Sequence, residues 1–221
     1  MRTKGIIFDL DGTLIDTIGD LTASVNAVFS SLALPELSDE RMKQVIGDGI
    51  DSLIRSLLPS RFTEETEITG IVNSVRQEYS TRWKNTSVPY PGIPELLDAL
   101  TRRGILMSVL SNKPDEFTGI MIQAVLPQWH FEAVRGSFPD VPRKPDPSSA
   151  LAIAGIMQLD PGEIMLLGDS GSDMETAVRA GMTAAGVSWG YRSREELSGK
   201  GAEIIFEKPG DIVPYILQRM I

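Results

Sequence analysis

The 221-residue sequence predicts an α/β fold in which a doubly wound parallel sheet carries a helical insertion after its first strand. Short apolar runs alternate with helical patterns along most of the chain, which is typical of parallel strands joined by right-handed crossovers. The runs are continuously apolar, as expected for strands that are covered on both faces. One stretch, residues 16–83, breaks the alternation and contains helical patterns with no convincing strand.

The apolar runs are the predicted strands, and the first is the strongest of them. In chain order they are residues 5–10, 105–110, 133–136 (the weakest), 164–167, 183–187 and 203–206. The helical patterns that separate the later runs are residues 94–103, 116–125, 147–156, 174–180 and 210–218. Together they predict a Rossmann-like core made of residues 1–15 and 87–221.

The insertion, residues 16–86, is predicted to be a small helical domain. Apolar residues at helical spacing lie on one face of its first helix: Leu21, Val25, Val28, Phe29 and Leu32. Further helical patterns cover residues 40–45, 50–57 and 64–83. The segment Gly47-Asp48-Gly49 interrupts them, and the chain returns to the core through Pro89-Tyr90-Pro91-Gly92.

Composition excludes several classes of function. The chain has no cysteine and one histidine, His130, so thiolate zinc sites, disulfides and serine–histidine triads are not expected. The formal charge of −9 and the absence of a basic run argue against a nucleic-acid partner. No apolar run approaches the length of a membrane span, and residues 1–11 lack the pattern of a signal peptide. We therefore expect a cytoplasmic protein without a membrane partner.

Chemically active residues follow the predicted strands. Because ligands bind beyond the carboxyl ends of parallel strands, residues that follow different strands should meet at one edge of the sheet. The first strand is followed by Asp9, Asp11 and Thr13, and the second by Ser111 and Asn112. Lys144 precedes the helix after the third strand, and Asp169 and Asp173 follow the fourth. The sequence thus predicts a site with four acids, two hydroxyls, one amide and one lysine.

The acids of this site indicate a divalent cation. Asp9 and Asp11 are two residues apart, so in extended backbone their side chains point the same way. Clustered carboxylates repel one another unless a positive charge lies among them, and oxygen ligands without histidine or cysteine favour Mg²⁺. Lys144 adds positive charge, and Pro145 after it favours an extended backbone there. A metal, a lysine and small donors form a receptor for a phosphate group. The Ser172–Glu175 spacing predicts a capping box, which makes Asp173 the first residue of a helix.

Four ordered motifs resemble those of the haloacid dehalogenase-like phosphohydrolases. They are Phe8-Asp9-Leu10-Asp11-Gly12-Thr13-Leu14, Ser111-Asn112-Lys113, Lys144-Pro145 and Gly168-Asp169-Ser170-x-x-Asp173. The helical insertion resembles the small cap of that family. The phosphoglycolate phosphatase-like branch is the most similar, through Gly47-Asp48-Gly49, Ala180-Gly181-Met182 and Trp189-Gly190-Tyr191. Four motifs in order at strand ends form a specific signal.

The resemblance implies a role for each site residue. Asp9 is the implied nucleophile, which forms an aspartyl-phosphate, and Asp11 the implied general acid and base. Mg²⁺ would be held by Asp9, Asp169 and the main-chain carbonyl of Asp11, with Asp173 supporting or binding it. The implied phosphate-binding residues are Thr13, Ser111, Asn112 and Lys144. The cap would close over the site, and Gly47, Asp48 and Gly49 are candidate substrate-facing residues.

The implied function is a Mg²⁺-dependent phosphomonoesterase for a small phosphorylated metabolite such as 2-phosphoglycolate. Two other enzymes, a phosphomutase and an inorganic pyrophosphatase, use the same kind of core and stay open as alternatives. A non-catalytic phosphate-binding protein is a third alternative, although such proteins usually lack a nucleophile, acid or metal ligand that this sequence retains. The oligomeric state is left open.

Overall fold

The computed structural model describes residues 3–47 and 49–218 of the chain. The chain divides into two compact units, one formed by Met1–Ile15 and Pro89–Ile221 and the other by Asp16–Val88. None of the helices in this described part of the chain is long and apolar enough to cross a membrane.

The first unit is built on a six-stranded parallel sheet. The strands of the chain are β1 (Gly5–Phe8), β2 (Ile15–Asp16), β3 (Val88–Pro89), β4 (Leu106–Pro114), β5 (Val134–Ser137), β6 (Ile164–Gly168), β7 (Thr183–Val187) and β8 (Ile204–Phe206). The large sheet has the order β5-β4-β1-β6-β7-β8, and every pairing in it is parallel. The predicted doubly wound α/β fold is confirmed, and β2 and β3 form a separate two-stranded ribbon.

Helices connect these strands and make up most of the second unit. They are α1 (Ile18–Ser31), α2 (Asp39–Val45), α3 (Ile50–Leu57), α4 (Glu65–Arg82), α5 (Ile93–Thr101), α6 (Asp115–Val125), α7 (Ser148–Met157), α8 (Gly171–Ala180), α9 (Arg194–Gly199) and α10 (Ile212–Gln218). A helix follows each strand from β4 to β8, as right-handed crossovers require.

The position of β1 between β4 and β6 determines where the predicted polar site lies in the sheet. All four residues of β1 and all five of β6 are buried, as the continuously apolar runs predicted. In the sheet register Phe8 pairs with Val109 of β4 on one side and with Leu167 of β6 on the other. The direction of winding reverses at β1, so the residues that follow β1 and β6 and those in the last part of β4, which include Ser111 and Asn112, meet at the switch point where α/β proteins bind ligands.

The second unit is a bundle of helices in which a buried carboxylate joins the first helix to the last residues of the unit. In this unit α1 packs against α4 and α2, and α3 packs against α4. Asp20 of α1 is 2% exposed, and its carboxylate accepts hydrogen bonds from the backbone N–H groups and the hydroxyls of Thr86 and Ser87. These four donors join the residues that enter the unit to those that leave it.

Candidate active site

Lys144 lies at the centre of a buried cluster of charges in the first unit. Its side-chain ammonium donates hydrogen bonds to Asp9 Oδ1 (2.7 Å), Asp173 Oδ1 (2.6 Å) and the carbonyl of Leu110 (2.9 Å). The side chains of Lys144 and Asp173 are almost fully buried, at 4% and 0% exposed. A buried ion pair of this kind is stable only when its members are also hydrogen-bonded, as they are here.

Asp169 completes the acidic group. It follows β6, is 2% exposed, and accepts a hydrogen bond at Oδ2 from the backbone N–H of Tyr191 (2.7 Å). The hydroxyl of Thr13 lies 3.4 Å from its other oxygen, Oδ1. One carboxylate oxygen from each of Asp9, Asp169 and Asp173 lies within 4.8 Å of the others, close enough to hold one metal ion.

The charges of this group do not cancel. If all three carboxylates were ionised beside one ammonium, two uncompensated negative charges would lie in a buried volume. Burial raises the pKa of Asp9 from 3.8 to about 7; the attraction of Lys144 opposes this rise, and the charge of Asp173 adds to it. Burial, followed by the charge of Asp9, holds the pKa of Asp169 well above its usual value. Burial alone would lower the pKa of Lys144, but Asp173 and Asp9 raise it. The site therefore favours binding of a divalent cation.

One carboxylate oxygen of Asp173 binds Lys144, and the other caps the N-terminus of a helix. Its Oδ2 accepts hydrogen bonds from the backbone N–H and the hydroxyl of Ser170, while Oδ1 binds Lys144. Ser170 is the N-cap of α8 and Asp173 its third residue, in a capping box. The expected Ser172–Glu175 capping box is wrong, because the helix begins earlier and an aspartate takes the place that glutamate usually fills. A Cβ at Gly168 would collide with Asp173, which accounts for that glycine.

The side-chain amide of Asn112 is hydrogen-bonded to the backbone of Lys144. Its amide nitrogen donates to the carbonyl of Lys144 (3.1 Å), and its amide oxygen accepts from the N–H of Lys144 (2.9 Å). This pair of bonds fixes the segment that carries the ammonium. Ser111, 4% exposed, accepts a hydrogen bond from the backbone N–H of Lys113 (3.2 Å), so its hydroxyl hydrogen is left to donate.

Asp11 lies in a separate ion pair beside this cluster. The ammonium of Lys113 contacts both of its carboxylate oxygens, at 2.8 and 3.0 Å. Both side chains are mostly buried, at 16% exposed for Asp11 and 10% for Lys113. Lys113 belongs to the second motif, but the sequence prediction assigns it no role. The signal for it is a lysine that follows two polar residues at a strand end.

The candidate substrate-facing residues lie in the second unit. Gly47 and Gly49 have positive φ angles of 143° and 85°, and Gly49 is the N-cap of α3. Both conformations favour glycine, so the geometry of the backbone accounts for these two residues. Asp48 lies outside the described residues. A contact of these residues with substrate stays a prediction.

The donors that meet at this sheet edge suit a hard cation and a phosphate group. Carboxylate oxygens without histidine or cysteine are Mg²⁺ ligands, and Mg²⁺ binds proteins through few carboxylates together with phosphate oxygens. A lysine and a serine hydroxyl beside them are donors for an anion. The fold and the acidic site together define a Rossmann-like α/β enzyme with a polar site at the topological switch point.

Comparisons with known proteins give the family. The family model of the haloacid dehalogenase-like hydrolases matches residues 6–187, so the chain belongs to that family, and the predicted membership is confirmed. The chain is 30% identical to a phosphoglycolate phosphatase from Aquifex aeolicus, with 94% of each chain covered. It is 32% identical to an N-acetylmuramic acid 6-phosphate phosphatase from Pseudomonas aeruginosa, with 96% of this chain and 94% of that one covered.

A crystal structure from Lactobacillus delbrueckii subsp. bulgaricus, of a protein provisionally named phosphoglycolate phosphatase, is similar along the whole chain. Its TM-score is 0.90 at 26% identity, and the alignment covers 98% of this chain and 99% of that one. The agreement in fold extends over both units of the chain.

Proposed function

We propose that the protein is a Mg²⁺-dependent phosphomonoesterase that acts on a small phosphorylated metabolite through an aspartyl-phosphate. One observation carries the proposal. Three buried carboxylates meet one buried lysine at the carboxyl edge of the sheet, and their ionised forms would leave two negative charges for a divalent cation to neutralise. The family membership and the relatives named as phosphatases support it.

In this proposal the residues of the site divide into three groups. Asp9 and Asp169, with the main-chain carbonyl of Asp11, hold the cation. The Ser111 hydroxyl and Thr13 bind the oxygens of the phosphoryl group, whose charge grows at the transition state, and Lys144 joins them by exchanging one of its three hydrogen bonds for a phosphate oxygen. Asp173 and the side chain of Asn112 position Lys144 through the hydrogen bonds described above. When bound, Mg²⁺ supplies positive charge that stabilises the ionised form of Asp9 and the phosphate oxygens.

The chemistry then needs two acids with different roles. A carboxylate oxygen of Asp9 attacks phosphorus, a new P–O bond forms, and the ester P–O bond breaks. Asp11 must carry a proton for this step, so its ion pair with Lys113 opens, and Asp11 then transfers that proton to the leaving alcohol oxygen. In the second half Asp11 takes a proton from a water molecule, whose oxygen attacks phosphorus, and the bond to Asp9 breaks. The products are the alcohol and inorganic phosphate, and both acids return to their starting forms.

The best candidate substrate is 2-phosphoglycolate, because several relatives bear the name phosphoglycolate phosphatase. A phosphorylated amino sugar acid is the second candidate, because the relative with that substrate in its name is 32% identical to this chain. The helical unit is the proposed cap that selects between them. A cytoplasmic location stays a prediction.

Phosphate release from a panel of substrates tests the proposal. We expect the purified protein to release inorganic phosphate from 2-phosphoglycolate with Mg²⁺ and to stop when EDTA is added. N-acetylmuramic acid 6-phosphate, pyrophosphate and a hexose 1-phosphate complete the panel. Turnover of pyrophosphate alone, or conversion of the hexose phosphate to its isomer, would identify the alternative enzymes. Mg²⁺-dependent phosphate binding with no turnover of any ester would identify a binding protein instead.

The variant Asp9→Asn tests the nucleophile. Loss of a covalent nucleophile is expected to lower kcat by about 10³-fold or more while the fold is kept. Asp160→Asn is the matched control, because Asp160 is an exposed helix-capping acid of the same unit and asparagine is also a good N-cap. The assignment of Asp9 is wrong if Asp9→Asn turns over at the rate of the control.

A further inference from the structure

The loop after β7, residues 188–191, contacts two segments of the site and has no role in the proposed chemistry. We call it the β7 loop. At its start the backbone N–H of Ser188 donates to the carbonyl of Phe206 (3.0 Å). In the middle the indole N–H of Trp189 donates to the carbonyl of Thr13 (3.1 Å). At its end the N–H of Tyr191 donates to Asp169 Oδ2 (2.7 Å).

The middle of the β7 loop is packed so closely that it admits only glycine. A Cβ at Gly190 would lie less than 3.0 Å from the side chain of Asp169 and from the carbonyl oxygen of Gly12. A Cβ at Gly12 would likewise lie less than 3.0 Å from Asp169 and from the ring of Tyr191. The carboxylate of Asp169 is thus held between the turn after β1 and the β7 loop, with glycine on both sides.

We infer that the β7 loop is a positioning element for Asp169, and that it sets the affinity of the site for Mg²⁺. The N–H of Tyr191 binds Oδ2 and the Thr13 hydroxyl lies 3.4 Å from Oδ1, so these two contacts fix the orientation of the carboxylate toward the cation site. The hydrogen bond from Trp189 to the Thr13 carbonyl holds the loop against the segment that carries Asp9 and Asp11. This inference rests on the proposed function, because it needs a cation at the acidic group.

The size of the effect follows from how such outer contacts act at metal sites. Groups that hydrogen-bond a metal ligand fix its orientation, and their loss typically weakens metal binding by about 10–100-fold. Alanine at position 190 must displace either the loop or Asp169, because both close neighbours are parts of the site. We therefore expect Gly190→Ala to fall in that range. Trp189→Phe keeps most of the ring and removes the donor, so it should weaken binding less.

Isothermal titration with Mg²⁺ alone, without substrate, tests the inference. Gly119→Ala is the matched control, because a Cβ at this glycine of α6 would meet nothing within 4 Å. We expect the control to bind Mg²⁺ like the wild type and Gly190→Ala to bind about 10–100-fold more weakly. Thermal unfolding should show a smaller Mg²⁺-induced rise in Tm for Gly190→Ala than for the control.

Turnover gives a second readout that a purely structural role would not give. If the loop acts through the cation, raising Mg²⁺ restores kcat of Trp189→Phe to the wild-type value, and KM for the substrate is unchanged. The inference is overturned if both variants fold and bind Mg²⁺ like the wild type. If Gly190→Ala does not fold, Mg²⁺ binding by Trp189→Phe decides the question. A wild-type protein that binds no Mg²⁺ overturns the proposed function as well, so the two failures are distinguishable.

Discussion

Lys144→Met removes one charge from the buried cluster and keeps a side chain of similar length. The change deletes the ammonium bonds to Asp9, Asp173 and the Leu110 carbonyl. Removal of one partner of a buried ion pair costs about 3–5 kcal/mol, because the other charge is left uncompensated. We therefore expect the free energy of unfolding of the metal-free protein to fall by about 3–5 kcal/mol above pH 7.

The pH dependence of this loss tests its electrostatic origin. The pKa of Asp9 is about 7 in the folded protein against an ordinary value of 3.8, so its ionised form destabilises the fold increasingly as pH rises between these values. Without Lys144 the attraction that lowers this pKa is lost, and the destabilisation at high pH grows. When pH falls toward 5, the acids of the variant take up protons and the deficit should shrink.

Urea unfolding followed by circular dichroism, with EDTA, measures this difference at about one pH unit above and two below the pKa of Asp9. Lys4→Met is the control, because Lys4 forms a surface ion pair with Glu163 and is 49% exposed. Its stability should stay near that of the wild type at both pH values. An equal loss for Lys144→Met at the two pH values, or a loss below about 1 kcal/mol at the higher one, would refute the charge argument.

Two further predictions concern the cation and the helical unit. The apparent dissociation constant of Mg²⁺ should rise as pH falls, by about tenfold per unit or more below pH 7, because protons compete for Asp9, whose pKa is about 7, and for Asp169, whose pKa is also raised. A flat calorimetric profile down to pH 5 would contradict this. Asp20→Ala leaves the buried N–H and hydroxyl of Ser87 without their acceptor, at about 1–3 kcal/mol each, so we expect a loss of about 2–6 kcal/mol in urea unfolding. A loss under about 1 kcal/mol would show that water replaces the carboxylate.

Apolar patterns predicted the six strands of the large sheet and, among the described residues, every α-helix except α9. The run at 183–187 and the helical pattern at 50–57 coincide with β7 and α3. The helix α9 was missed, because its six residues bury Leu197 alone and give no apolar face. Its signal was local instead: Ser193 is the N-cap and accepts a hydrogen bond from the N–H of Glu196. The ribbon of β2 and β3 is too short for any pattern.

The site was predictable as a set of positions and not as a set of contacts. A parallel sheet brings the residues after the neighbouring strands β1 and β6 together, so the meeting of Asp9 and Asp169 follows from the strand order. Lys144 lies on the segment between β5 and α7, and the strand order alone does not place its side chain. The choice of partners depends on distances that no local pattern contains. Asp11 and Lys113 are 102 residues apart in the chain, and the amide of Asn112 binds a backbone segment 32 residues away.

The position of β1 in the sheet affects when the enzyme becomes complete during synthesis. Both neighbours of β1 come later in the chain, β4 at residue 106 and β6 at residue 164. At roughly 5–20 residues per second, this apolar segment waits on the order of 5–20 s after it leaves the ribosome before its first strand partner also emerges. The helical unit is continuous in sequence and can form during that interval. The amide of Tyr191 is made later still, so a nascent chain acquires its finished acidic centre only after residue 191 has been added.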